Sequence, residues 1–162
     1  MIDTSELDLF AEKLSRAAAE LKPFAAEVLQ DEGEDFLNIV QDAIMSAGNV
    51  DTRLLLSSFT KGSGNGIWNL DMGALTLQIG TNVEYAKWVN DGHRQKPGRF
   101  IPGSFNGNGT FRYIPGSNTG MVLKASYVAG SHFFDKAVAA FTGYWTATVQ
   151  AAFDAWFAQQ LQ

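Results

Sequence analysis

Apolar residues recur every three or four positions at both ends of this chain and every second position in its middle. That change of period limits the possible folds more than any other feature of the sequence. Near the start, Leu7, Phe10, Leu14, Ala17 and Leu21 form one stripe on a helix. Ser5 can cap that helix, and Glu6 and Asp8 lie in its first turn, where they complement the helix dipole. Pro23 either ends it or sits in the first turn of a second helix, whose stripe is Phe24, Val28, Phe36, Val40, Ile44 and Ala47. Residues 1–48 therefore read as a helical pair. Gly33, inside the acidic run Asp31, Glu32, Glu34, Asp35, is its weak point, and Gly48 its stop.

Asp51 and Thr52 cap a short helix from Arg53 to Phe59, and the segment from Lys61 to Gly66 is a glycine-rich turn. Leu75, Leu77 and Ile79 then alternate with Thr76 and Gln78, the signature of a half-buried strand. Ile67 to Met72 is its hairpin partner, with Gly73 at the turn. Val83 to Val89 is helical. Gly107-Asn108-Gly109 is a hairpin signal between Phe100–Phe105 and Thr110–Ile114. Met121 to Val128 reads as a last strand. After Gly130, Ser131 caps a long helix with the stripe Phe134, Val138, Phe141, Trp145, Thr148, Ala152 and Trp156. The expected fold is α+β: N-terminal helices, a small, mostly antiparallel sheet with a long inserted loop or hairpin, and a long C-terminal helix. The 162 residues are read as one domain: the helical pair 1–48, a short helix and sheet over 49–130 with 90–120 as an extended loop, and the helix 131–162.

No catalytic constellation is legible, and the chain reads as not an enzyme. There is no cysteine, which removes thiolate chemistry, thiolate metal sites and disulfides. Lys61 to Gly66 lacks the Gly-Lys-Ser/Thr ending of a phosphate loop, and no Gly-x-Ser-x-Gly elbow is present. Asp91 and His93 could offer two metal ligands, with no third in sight. No cofactor and no metal are expected. The acidic run is most simply a solvated face. No charged-then-apolar leader and no run of 18 apolar residues is present, so neither secretion by a standard signal nor membrane spanning is expected.

Charge is split along the chain. From Met1 to Asp51 there are twelve acidic and three basic residues, a net of −9, whereas from Thr52 to Gln162 the net is +4. One half can therefore face the other half of a neighbouring copy. The span from Asn90 to Gly120 is long for a loop, and it carries Arg94, Lys96, Arg99 and Arg112 among Phe100, Phe105, Phe111 and Tyr113. Aromatic residues and arginine are the usual anchors of protein interfaces. Either these side chains pack under their own hairpin or they meet a partner. Asn90, Asp91, Gly92, His93 and Arg94 are expected to form a turn that positions the loop. The basic and aromatic residues beyond them are expected to make the contacts, with Glu32 and Glu34 on the opposing face. A stand-alone ligand-binding module, with Trp88, Phe105, Phe111 and Tyr113 as a stacking surface, is the alternative.

Three segments carry a family resemblance. Thr52-Arg53-Leu54-Leu55-Leu56-Ser57-Ser58-Phe59 resembles a Thr-Gly-x-Leu-x-x-Ser-hydrophobic segment, with Arg53 where glycine is usual. The segment from Ile79 through Tyr85-Ala86 to Gly92-His93-Arg94 is similar to an Ile-Gly-Thr-x-Val-x-Tyr-Ala-x-x-Val-x-x-Gly-His/Thr core. The segment from Tyr127 to Phe134 resembles a Val-x-Gly-Arg-Phe-Met helix entry, with Ser131-His132 in place of the basic residue. The family is that of tail-completion or neck components of long-tailed bacteriophages, and the long hairpin suits its contractile-tailed branch. The resemblance implies a structural virion protein at the head–tail junction, made in the host bacterial cytoplasm, that joins the tail to the capsid connector. It implies a homo-oligomeric ring, usually of six copies, touching head-closure or adaptor proteins and the tail terminator or tail tube, with a tail-terminator role as the neighbouring possibility. DNA would pass through its lumen without specific binding, and no membrane is involved.

Overall fold

The structure is a computed structural model that describes residues 4–48 and 53–161. In chain order the elements are α1 (Ser5–Ser46), α2 (Leu54–Ser58), β1 (Gly66–Asp71), β2 (Thr76–Thr81), α3 (Ala86–Asp91), β3 (Gly92–Arg94), β4 (Phe100–Phe105), β5 (Phe111–Tyr113), β6 (Gly120–Val122), β7 (Tyr127–Ala129) and α4 (Phe133–Gln160). This is the expected α+β arrangement, with every strand pairing antiparallel. The chain divides into two compact units: residues up to 86 together with 133 onward, and residues 87–132.

The first unit is built on two long helices. The N-terminal pair read from the sequence is one helix of 42 residues, with Pro23 inside it and Thr4 at its cap position. A proline removes one backbone donor and normally bends or ends a helix. Here the next residue is clamped: the Phe24 ring stacks on Trp156 at 4.9 Å and meets Phe153 edge-on at 5.1 Å, so packing against α4 holds the helix through the fault. Further along, Phe36 packs against Phe141 and Phe134 at 5.2 and 5.7 Å. Val40 and Ile44 are fully enclosed. The helix α1 runs on past α4: Lys13 Nζ reaches the Leu161 carbonyl and Gln160 Nε2 reaches Glu20 Oε2, so Leu7, Phe10 and Leu14 of the first stripe stay largely exposed.

The hairpin of β1 and β2 has the expected alternation and turn. Trp68 stands opposite Ile79 and Leu70 opposite Leu77, and the Asp71 carboxylate accepts from the N–H groups of Gly73 and Ala74. Gly33 is the reason this hairpin can lie on α1. A Cβ there would overlap Leu77 Cδ2 and come within 2.9 Å of Trp68 Cη2, so the supposed weak point is a site of close approach. The Asp51-Thr52 cap lies outside the described residues. Arg53, at the start of α2, has φ of 60°, a left-handed conformation in which a Cβ is unfavourable by about 1–2 kcal/mol. That accounts for the glycine usual at this place, and Arg53→Gly is expected to raise stability by about 0.5–1 kcal/mol in chemical denaturation.

The second unit is one hydrogen-bonded arm where the sequence suggested a long inserted loop or hairpin. β3 pairs with β7, from Gly92 opposite Ala129 to Arg94 opposite Tyr127. The pairing continues through Gln95 N–H to the Ser126 carbonyl and Gly98 N–H to the Leu123 carbonyl, and then into β4 against β6. Past Gly103 the same strand β4 turns its ladder to β5, closing at Phe105 opposite Phe111. The tip is the expected Gly-Asn-Gly turn, where the Asn106 carboxamide oxygen accepts from the N–H groups of Asn108 and Thr110. Met121 to Val128, read as a single strand, is two strands, β6 and β7, separated at Leu123–Ser126. At roughly 3.3 Å per residue, the path from Gly92 to Phe105 covers up to about 45 Å.

Candidate partner interfaces

Within the arm, the strands are joined by its own ladder. Among the described residues, no apolar side chain between 87 and 132 is buried. Trp88, Phe100, Phe105, Tyr113, Val122 and Tyr127 are all about half exposed or more, Tyr113 at 61%. An isolated hairpin with no packed face is marginal in water, so such an arm gains stability wherever its faces are covered. Its charge points the same way. Residues 87–132 carry six basic side chains and one acidic, a net of +5, against −10 for the remainder of the chain. Lys96, Arg99 and Arg112 are exposed.

The root of the arm differs from the expected turn. Asn90 and Asp91 end α3, and Gly92 with φ of 81° switches the backbone into β3, which His93 and Arg94 continue. The switch is tightly packed: the Tyr127 hydroxyl donates to the Asp91 carbonyl at 2.7 Å, and a Cβ on Gly92 would sit 2.6 Å from that same hydroxyl. Asn90 Nδ2 donates to the Asp91 carboxylate, and the Asn90 carbonyl accepts from His132 N–H. Asn90 and Asp91 thus do structural work at the base, as does Gly92. The four aromatic residues proposed as one stacking surface are not together. Trp88 lies beside His93, with ring centroids 6.3 Å apart, whereas Phe105 meets Phe111 edge-on at 5.1 Å at the opposite end of the arm. Among the described residues, no group of three or more Asp, Glu or His side chains could hold a metal ion, and no helix is long and apolar enough to cross a membrane.

On the first unit the acidic run is not a uniform solvated face. Glu34 is exposed and already paired, its Oε1 2.6 Å from Lys61 Nζ, which also lies over the Trp68 ring. Glu32 is 6% exposed, and its Oε2 has no hydrogen-bond partner among the described residues. The cause is helical phase: Leu29, Glu32, Gly33, Phe36 and Val40 fall on one stripe of α1, so Glu32 is carried under the hairpin while Asp31 and Glu34 point away. It sits in a pocket of about 290 Å³ walled by Leu29 and Phe36 of α1, Leu77 and Ile79 of β2, and Phe141 and Trp145 of α4. Burial, then the nearby carboxylates of Asp35 and Asp31, push the Glu32 carboxyl above the usual 4.5. Burial with Asp35 and Glu32 likewise raises the Tyr144 hydroxyl.

Since the folded chain holds the Glu32 proton more tightly than the unfolded chain does, the Glu32 contribution to stability is fullest at acid pH and declines as pH rises from about 4.5 through the raised value. Glu32→Met is expected to flatten that decline and to raise stability at neutral pH by about 1–3 kcal/mol, because it removes an unpartnered buried acceptor. Urea titrations of both proteins between acid and neutral pH measure this, and equal slopes would contradict it.

One unit thus offers a long helix pair with a small hairpin laid on it through a glycine, and the other a cationic arm with exposed aromatics. The chain belongs to the HK97 gp10-like family of bacteriophage tail components. The family, described as "Bacteriophage HK97-gp10, putative tail-component", matches residues 8–92. That range takes in the Thr52–Phe59 segment and the Ile79 core as far as Gly92, but not the Tyr127–Phe134 segment. Among relatives, the chain is 38% identical to an uncharacterized protein of Bacillus subtilis (strain 168), YqbI, over 95% of this chain and 96% of that one. It is 40% identical to XkdI, a protein of the phage-like element PBSX from the same organism, over 70% of this chain and 71% of that one. No solved structure matches significantly.

Proposed function

We propose that this chain is a structural subunit of the phage head–tail junction, a neck or tail-completion protein that assembles as a ring, with six copies the expected number. The observation that carries the reading is the arm: a hydrogen-bonded, cationic element with exposed aromatics and no core of its own. A closed ring requires each copy to present two different faces, one to each neighbour. An acidic helical unit and a basic arm are such a pair. Head-closure or adaptor proteins on one side and the tail terminator or tail tube on the other are the remaining partners. Arg94, Lys96, Arg99, Phe105, Phe111, Arg112 and Tyr113 are the contacting residues of the arm in this reading. The reading includes no catalysis, since the family is one of structural components and, among the described residues, no nucleophile, base and oxyanion set comes together. Contacts to DNA in the lumen are unspecific, because a chain of net charge −5 does not grip phosphates as a basic protein does.

Imaging particles that carry a gold-labelled tag at Gln162 tests the proposal. Label at the junction of head and tail, in a ring of fixed copy number, is the expected result. Label along the tail or at its distal tip would overturn it.

A further inference from the structure

We propose that the Glu32 pocket receives the guanidinium of Arg112 from the β4–β5 hairpin of a second copy of this chain. The inference rests on the reading of the protein as a self-assembling subunit and names the contact. The pocket sits at the lower end of the range for ligand sites, which suits one long side chain and not a helix. Its walls are aromatic and aliphatic, Glu32 is the one charged residue among them, and the Glu32 Oε2 enclosed in that wall has no hydrogen-bond donor among the described residues. A planar guanidinium satisfies both features at once, since it stacks on rings such as Phe141 and Trp145 while donating to a carboxylate. Lysine would meet the carboxylate but lacks the flat face. The neighbouring Asp31 and Asp35 favour a cation at this place, and Lys61 is already engaged by Glu34.

The basic arm is where the complementary charge lies. Of its arginines, Arg94 belongs to the root strand and Arg99 precedes the ladder with β6, whereas Arg112 lies on β5 opposite Ser104, in the outer part of the arm. Exposed between Phe111 and Tyr113, it is the arginine nearest the Gly107–Gly109 turn. The contact is heterologous, with the arm of one copy in the pocket of the next, and it can therefore propagate around a ring.

Sedimentation of the full chain and of three variants tests this. Glu32→Gln and Arg112→Ala should each weaken self-association by at least about tenfold, because each leaves the other group unpaired. The double variant should associate no more weakly than either single one. Mixing the two single variants should restore a one-to-one complex of near-native affinity, because one copy still offers an intact pocket and the other an intact arm. Native association of either variant, additive losses in the double variant, or no recovery on mixing would overturn the proposal. So would a native chain that stays monomeric at every concentration reached. If variants associate normally but are lost from particles, the occupant is another virion protein and the second-copy assignment is wrong. If they also enter particles normally, the pocket assignment fails while the junction reading stands; native protein absent from the junction would instead sink that reading.

Discussion

Replacing Phe59 by alanine is expected to lower the free energy of unfolding by about 3–5 kcal/mol, a large share of the about 5–15 kcal/mol that holds a domain of this size together. Phe59 is 1% exposed and follows directly on α2. Its ring meets Phe133 at 6.1 Å and Phe134 at 6.2 Å, and its carbonyl accepts a hydrogen bond from Gln41 Nε2 at 2.7 Å. It thus ties the short helix to both α1 and α4. The largest fully buried side chains are Phe59, Phe133, Ile44, Val40 and Ser58, so few other groups can close around the cavity that alanine leaves. Urea denaturation followed by circular dichroism measures the loss, with Phe157→Ala, 43% exposed, as the comparison expected to lose far less. A loss below about 1 kcal/mol for Phe59→Ala would mean that the three helices do not share the core described above.

Much of this fold is legible where the signal is local. Alternation in Leu75, Leu77 and Ile79 with a glycine turn marks the first hairpin, and Gly107-Asn108-Gly109 marks the second, because a tight turn depends on the few residues within it. The three-and-four stripe of α4 is likewise contained in the helix itself. What escaped depends on partners distant in sequence. Pro23 can end a helix or be carried through, and Trp156, more than a hundred residues away, decides. Gly33 looks like a helix breaker until Leu77 and Trp68 are laid against it. The pairing of residues 92–102 with 120–129 joins segments with no shared local pattern, so the span between them reads as loop.

The candidate site was legible in part for the same reason. Net charge and aromatic content single out the arm, since these are sums over residues and survive ignorance of the fold. The state of one carboxylate is not such a sum. Glu32 and Glu34 look alike in the acidic run, yet one is paired on the surface and the other is enclosed without a donor. The spacing Leu29, Glu32, Phe36 was the available clue, because it sets Glu32 on the apolar stripe while leaving Glu34 off it. The exposed first stripe, Leu7 to Leu14, shows the converse: helical periodicity marks a face that can be buried, and whether it is depends on how far α4 extends beside it.

The largest effect on function is expected from the tip of the arm. Phe105→Ser combined with Tyr113→Ser should leave the isolated chain folded and its unfolding midpoint nearly unchanged, because both side chains are exposed, by 58% and 61%. Among the described residues, the ring contact removed is that of Phe105 with Phe111, worth about 0.5–1.5 kcal/mol and confined to the hairpin. Incorporation into particles should nevertheless fall by roughly a thousandfold. Aromatic anchors at the centre of an interface typically contribute about 2 kcal/mol or more each, and about 1.4 kcal/mol corresponds to a factor of ten. Substituting Leu7 and Leu9 of α1, also exposed but outside the arm, separates a demand for these aromatics from a general demand for surface hydrophobicity. Counting tailed and tailless particles in complementation with each variant gives the answer. Normal tail joining with Phe105 and Tyr113 both replaced would show that the arm does not bind through its aromatic tip, and the burden of assembly would pass to the arginines and to the pocket on α1.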